Sequence, residues 1–187
     1  MKRFSELIQQ LETSNKTNDK IAALVDYFST ADDRDKTYVI AMFTGKKPKR
    51  PVNTALLRAW ATELSGIPAW LFQESYSSVG DLSETIALVL PAPEKVTDRK
   101  LHEWITDLKA LNGKSDEEKK SFIIDAWNSL DTAQRFIFNK LISGNFRIGV
   151  SHKLLVNALA KQSDTDSNKI MHSIMGKWQP DEITYEA

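Results

Sequence analysis

Apolar positions along this chain recur at spacings of three and four almost from end to end. Phe4, Leu7, Ile8 and Leu11 fall at i, i+3, i+4 and i+7, the stripe that one face of an α-helix buries. The spacing returns at Ile21, Leu24, Val25 and Phe28, at Leu56, Leu57, Trp60 and Leu64, and at Leu101, Trp104, Ile105 and Leu108. It continues at Phe122, Ile123, Ala126 and Trp127, at Phe136, Ile137, Lys140 and Leu141, and at Leu154, Leu155, Ala158 and Leu159. Alternation with period two is nearly absent, which leaves little material for a sheet. The pattern predicts an all-α fold, a single irregular multi-helix domain of about ten helices.

Helix punctuation agrees with this reading. Asp81-Leu82-Ser83-Glu84 and Ser115-Asp116-Glu117-Glu118 have the capping-box pattern. Asp98, Asp131 and Ser151 are suitable N-caps ahead of apolar-periodic stretches. Breaks fall at 45–51, 66–68, 91–93, 112–113 and 144–149, where glycine and proline gather. Pro91-Ala92-Pro93 reads as a hinge, near 91–97, between two helical halves of one domain, because either half alone would have a marginal core. No repeat of fixed period is present, which argues against a solenoid.

Composition narrows the class. With 187 residues, 41 % of them hydrophobic and 27 % charged, the chain has enough apolar material for a sizeable core. It has no cysteine, which removes disulfides, thiolate metal sites and cysteine nucleophiles and fits a cytoplasmic setting. His102, His152 and His172 lie far apart and form no metal-ligand spacing, so no metal site is expected. No apolar run approaches the ~20 residues that span a bilayer. Twenty-five cations balance twenty-five anions. That balance excludes a uniformly basic binder, yet permits a local basic face.

Three segments have candidate chemistry. Between Gly45 and Pro51, Lys46, Lys47, Lys49 and Arg50 crowd a stretch that proline keeps out of a helix interior. Such a loop can lay cations along a phosphate backbone, or it can be a solvated surface loop. Gly80 precedes the capped start at Asp81, and helix N-termini bind anions. Asp81 and Glu84 would fill those donors themselves, so a capped tight turn is an equal reading. Third, a helix through Lys140 ends at Gly144, followed by Asn145, Arg147 and Gly149, with Ser151 opening a helix that contains Lys153. Two glycines about an arginine, leading into a helix start, could clamp a phosphate with backbone amides and a guanidinium fork. They could equally be a plain helix–helix connection.

The tryptophans divide. Trp60, Trp104 and Trp127 lie on apolar stripes and suit core packing, whereas Trp70 and Trp178 fit no stripe so clearly. The carboxylates are scattered among lysines and suggest no acid–base pair. His152 beside Ser151 has no nucleophilic arrangement. No catalytic residue is expected.

The run Glu74-Ser75-Tyr76-x-x-Val79-Gly80-Asp81-Leu82-Ser83-Glu84-Thr85-Ile86-Ala87 resembles the N-terminal DNA-binding domain of ATP-dependent DNA ligases, in the bacterial form that has this extra domain. Phe138-Asn139-Lys140-Leu141-Ile142-Ser143-Gly144-Asn145-Phe146-Arg147-Ile148-Gly149-Val150-Ser151, continuing into Leu154-Leu155-Val156-Asn157-Ala158-Leu159-Ala160, is similar to a second stretch of that family. The basic loop followed by Leu56-Leu57-Arg58-Ala59-Trp60-Ala61 fits the same form, so the resemblance covers nearly the whole chain. It implies an all-α domain that holds a nicked duplex from the minor-groove side through phosphates and sugars, without sequence specificity. Carried by motif, DNA contact falls on Gly144, Arg147, Gly149 and Ser151, with Gly80 as a further position. Asn145, Lys140 and Lys153 join them as neighbours, and Lys46, Lys47, Lys49 and Arg50 by charge.

The family's chemistry resides in a nucleotidyltransferase domain with a Lys-x-Asp-Gly motif, followed by an OB-fold domain. Neither the motif nor those domains occur in this sequence. The expectation is therefore an inactive, monomeric fragment whose partners are nicked double-stranded DNA and the ligase catalytic domain in cis. It would bind no cofactor itself, while the parent enzyme uses ATP and Mg²⁺ in replication, repair or recombination. A helical protein–protein interaction module is the competing reading, to which zero net charge and abundant tryptophan are suited. A contiguous exposed apolar patch would favour it.

Overall fold

A computed structural model describes residues 1–187 except 47, 48, 145, 147 and 148. Among the described residues there are eleven helices and no strand. They are α1 (Lys2–Thr13), α2 (Thr17–Thr30), α3 (Asp33–Phe43), α4 (Thr54–Ser65), α5 (Ala69–Val79), α6 (Leu82–Val89), α7 (Leu101–Ala110), α8 (Asp116–Asn128), α9 (Thr132–Ser143), α10 (His152–Ser163) and α11 (Ser167–Met175). None is long and apolar enough to cross a membrane.

The chain forms two compact units, each assembled from separate stretches of sequence. One comprises Met1–Lys47, Lys100–His102 and Phe146–Ala187; the other comprises Pro48–Arg99 and Glu103–Asn145.

In the first unit the stripe Phe4, Leu7, Ile8 and Leu11 of α1 is buried, and α1 packs on α2. Leu24, Tyr27 and Phe28 are buried on α2, which packs on α10, where Leu155, Val156 and Leu159 are buried too. Phe4 meets Tyr27, Phe43 and Phe146 at ring centroid separations of 6.2, 6.4 and 5.9 Å. This is the edge-and-tilt geometry that aromatic quadrupoles favour. Burial pushes the Tyr27 phenol well above its ordinary range. The residues after α11 lie on the same unit. Tyr185 stacks on Phe28 at 6.1 Å, and its hydroxyl donates to Gln162 Oε1 at 2.6 Å.

The start of α7 shows how tertiary structure replaces a local signal. Asp98 is a plausible N-cap by sequence, but the helix begins at Leu101. Its first N–H groups are taken by Asp35 of α3, which accepts from Leu101 N at 3.3 Å and from His102 N at 2.8 Å. Buried Asp35 also sits 2.7 Å from His102 Nδ1. Asp35→Ala would strand those two donors, so it should cost about 1–3 kcal/mol of stability, the usual penalty for a buried polar group that loses its partner. Chemical denaturation reads this directly, and an unchanged midpoint would mean that solvent reaches the orphaned groups.

In the second unit α6 and α9 pack most closely, with α5 and α4 against α6. A buried polar relay lies between them. Asn139, wholly inaccessible, accepts from Trp127 Nε1 at 2.9 Å and donates through Nδ2 to the Ser83 carbonyl at 3.1 Å. Arg135 is also buried, and burial pushes its guanidinium below its ordinary pKa. It donates to the Trp127 carbonyl at 2.7 Å and to the Pro91 carbonyl at 2.8 Å. A cation on a last-turn carbonyl of α8 also complements the helix dipole. The Pro91–Thr97 stretch, read from sequence as a hinge, lies within this unit. Besides Arg135, it is tied by Lys95 N to Asn128 O at 3.3 Å and Thr97 N to Ser129 O at 2.9 Å. Trp104 packs edge-on against Phe138 at 5.5 Å, beneath the Arg99 guanidinium.

Candidate nucleic-acid interface

The sequence-predicted contact residues fall on both units, and each group has its own local architecture. In the first unit, the decisive feature is the start of α10. Ser151 caps it, accepting from Leu154 N at 3.1 Å, which leaves the N–H groups of the first two helical residues, His152 and Lys153, without an intrahelical partner. Just ahead, Gly149 adopts φ +61°, a left-handed conformation that costs side-chain-bearing residues about 1–2 kcal/mol. A Cβ there would also lie 3.2 Å from the Lys20 ammonium.

Lys20 was not singled out by sequence reasoning. Packing of α2 on α10 brings its Nζ within 3.3 Å of the Gly149 carbonyl, across 129 positions of sequence. That bond uses one of three ammonium protons. Lys153 is exposed and makes no hydrogen bond or ion pair among the described residues. Two cations from different helices thus gather at one helix start, where the helix dipole already favours an anion. The only sequence signal for Lys20 was its place on α2, and nothing local linked it to Gly149.

Lys46 ends α3. Gly45 N donates to Met42 O at 3.2 Å and Lys46 N to Ala41 O at 2.9 Å, a Schellman closure that fixes the backbone. Its Nζ donates to Gly176 O at 3.1 Å and lies 4.9 Å from the Trp178 ring centre. Lys47, predicted beside it, lies outside the described residues, as do Asn145 and Arg147.

In the second unit, Lys49 and Arg50 are exposed and without a side-chain partner among the described residues. Gly144 closes α9 at φ +69°, its N–H donating to Lys140 O at 2.8 Å. Gly80 closes α5 in the same way at φ +80°, onto Tyr76 O at 2.8 Å. Asp81 then caps α6, accepting from Glu84 N at 3.0 Å with one oxygen. Its other oxygen receives the Lys140 ammonium. Lys140 is therefore largely buried and charge-compensated, and it ties α9 to the turn at Gly80. Of the predicted cations, Lys49, Arg50 and Lys153 present unengaged charge to solvent, whereas Lys46 and Lys140 are already bonded within the protein.

One cluster has the composition of a metal centre. Asp32, Asp35 and His102 offer ligand atoms within 4.8 Å of one another. The same atoms are committed elsewhere, however. Asp35 caps α7, and Asp32 bonds the Lys100 ammonium at 2.8 Å, which holds its carboxyl below the usual carboxylate range. A cation placed there would displace one that the fold supplies, so the cluster reads as a helix clamp.

The fold and its cations define an all-helical module with exposed cations at the α10 start and ahead of α4. The chain belongs to the DNA ligase N terminus family, whose model matches residues 1–160. The match ends within α10, and membership points to DNA as the partner class.

Proposed function

We propose that this chain is the non-catalytic DNA-binding domain of an ATP-dependent DNA ligase. It holds nicked duplex through minor-groove-side contacts to phosphates and sugars, without sequence specificity, so that a catalytic domain in cis can seal the nick. The observation that supports this most is the start of α10. There a serine-capped helix end, a left-handed glycine, Lys20 and Lys153 gather donors suited to a phosphate. Lys49 and Arg50 supply a second cationic spot on the other unit. The family motif adds Arg147 as a phosphate contact. ATP and Mg²⁺ serve the catalytic domain, and this domain contributes positioning.

Fluorescence anisotropy with two nicked duplexes of unrelated sequence tests the reading. Affinities equal within a few-fold are expected. A preference for one sequence approaching the ~10³-fold or more that separates specific from non-specific sites would overturn backbone recognition. The protein-binding alternative draws on Trp70, 67 % exposed beside Leu71 on α5. DNA binding that failed in both duplexes would bring that face forward.

A further inference from the structure

Lys46 stands first in the basic loop, yet its ammonium does not face open solvent. Residues 176–187, which follow α11 and lie beyond the family match, occupy it instead. The Gly176 carbonyl accepts from Nζ at 3.1 Å, and the Trp178 ring lies beneath it at 4.9 Å. Trp178 is itself anchored, donating through Nε1 to Ile174 O at 3.0 Å in the last turn of α11. Farther along, Asp181 accepts from the Tyr38 hydroxyl, and Tyr185 bonds Gln162 while the Lys36 ammonium sits 4.6 Å over its ring. The segment is thus held at a few polar and aromatic points.

It is not packed down as a core element would be. Most of its residues are exposed, and with α3, α10 and α11 it bounds a cavity of about 640 Å³. A strap with few buried apolar contacts opens at low free energy compared with the fold itself.

We infer that residues 176–187 form a releasable strap that competes with the DNA backbone for the Lys46 ammonium. This rests on the DNA-binding reading above. While the strap is docked, Lys46 spends one donor on Gly176, and its charge faces an indole. Once the strap lifts, the rigid Schellman end of α3 presents the same ammonium to a phosphate. The strap therefore lowers DNA affinity by the fraction of molecules in which it is docked.

Trp178→Leu removes the indole face and the Nε1 donor while keeping apolar bulk. Tyr185→Ala loosens the far end without touching Lys46. If the strap is released in about a tenth to a third of wild-type molecules, each variant should bind nicked duplex more tightly at low salt, complete release giving up to about three- to tenfold. Adding Lys46→Ala should cancel that gain. Far-UV circular dichroism confirms that the helices remain. Wild-type binding with no gain in either variant, or a gain that survives Lys46→Ala, overturns the strap and leaves the DNA-binding reading intact. No salt-sensitive binding by any of the proteins overturns the DNA-binding reading, and the strap with it.

Discussion

Trp127→Ala should destabilise the protein by about 3–5 kcal/mol, the range for truncating a large buried aromatic. The side chain is wholly inaccessible, and its loss does two things at once. It opens a cavity in the core of the second unit. It also strands Asn139 Oδ1, whose partner is the indole N–H. Trp127→Phe bears mainly on the second effect, because it retains most of the bulk but not the donor. It should cost about 1–3 kcal/mol, the penalty for an unsatisfied buried acceptor. Urea denaturation followed by circular dichroism gives both values. If Trp127→Phe proved neutral, the Trp127–Asn139–Ser83 relay would have no part in holding α6 to α9.

The second large effect concerns DNA. Lys20→Ala combined with Lys153→Ala should weaken binding of nicked duplex substantially while leaving the helical signal unchanged. Both side chains lie at the α10 start, and neither contributes to the core. Each charge-assisted phosphate contact is worth about 1.5–3 kcal/mol, and each phosphate neutralised steepens the salt dependence by about 0.9 in log–log slope. The double variant should therefore lose about 1.8 in slope as well as affinity. Lys140→Ala is the contrasting case. Its ammonium is committed to Asp81, so it should act mainly through stability. If the double variant kept wild-type affinity and slope, the α10 start would not be the contact.

Much of the fold was legible because helical periodicity is a local property. The stripes of α1, α7 and α10 are buried, α2 buries Leu24 and Phe28 of its stripe, and Trp60, Trp104 and Trp127 are core residues as their stripes indicate. Ser115 and Glu118 form the reciprocal capping box that their spacing predicts. What sequence could not supply was pairing across long separations. Asp35 caps α7 from 66 positions away, where Asp98 looked the better candidate. Lys20 reaches Gly149 only because α2 packs on α10. Charge counting treated Lys46, Lys49, Arg50, Lys140 and Lys153 as equivalent. The structure separates them by partner: Gly176 and Trp178 hold Lys46, Asp81 holds Lys140, and the other three face solvent.

The most direct test of the central claim is the affinity of this chain for a nicked duplex measured across a range of salt concentrations. Contact with about five phosphates predicts that log K falls linearly against log[salt] with a slope of roughly −4 to −5. Binding that ignored salt, or that was absent even at low ionic strength, would contradict a domain that grips DNA by its backbone.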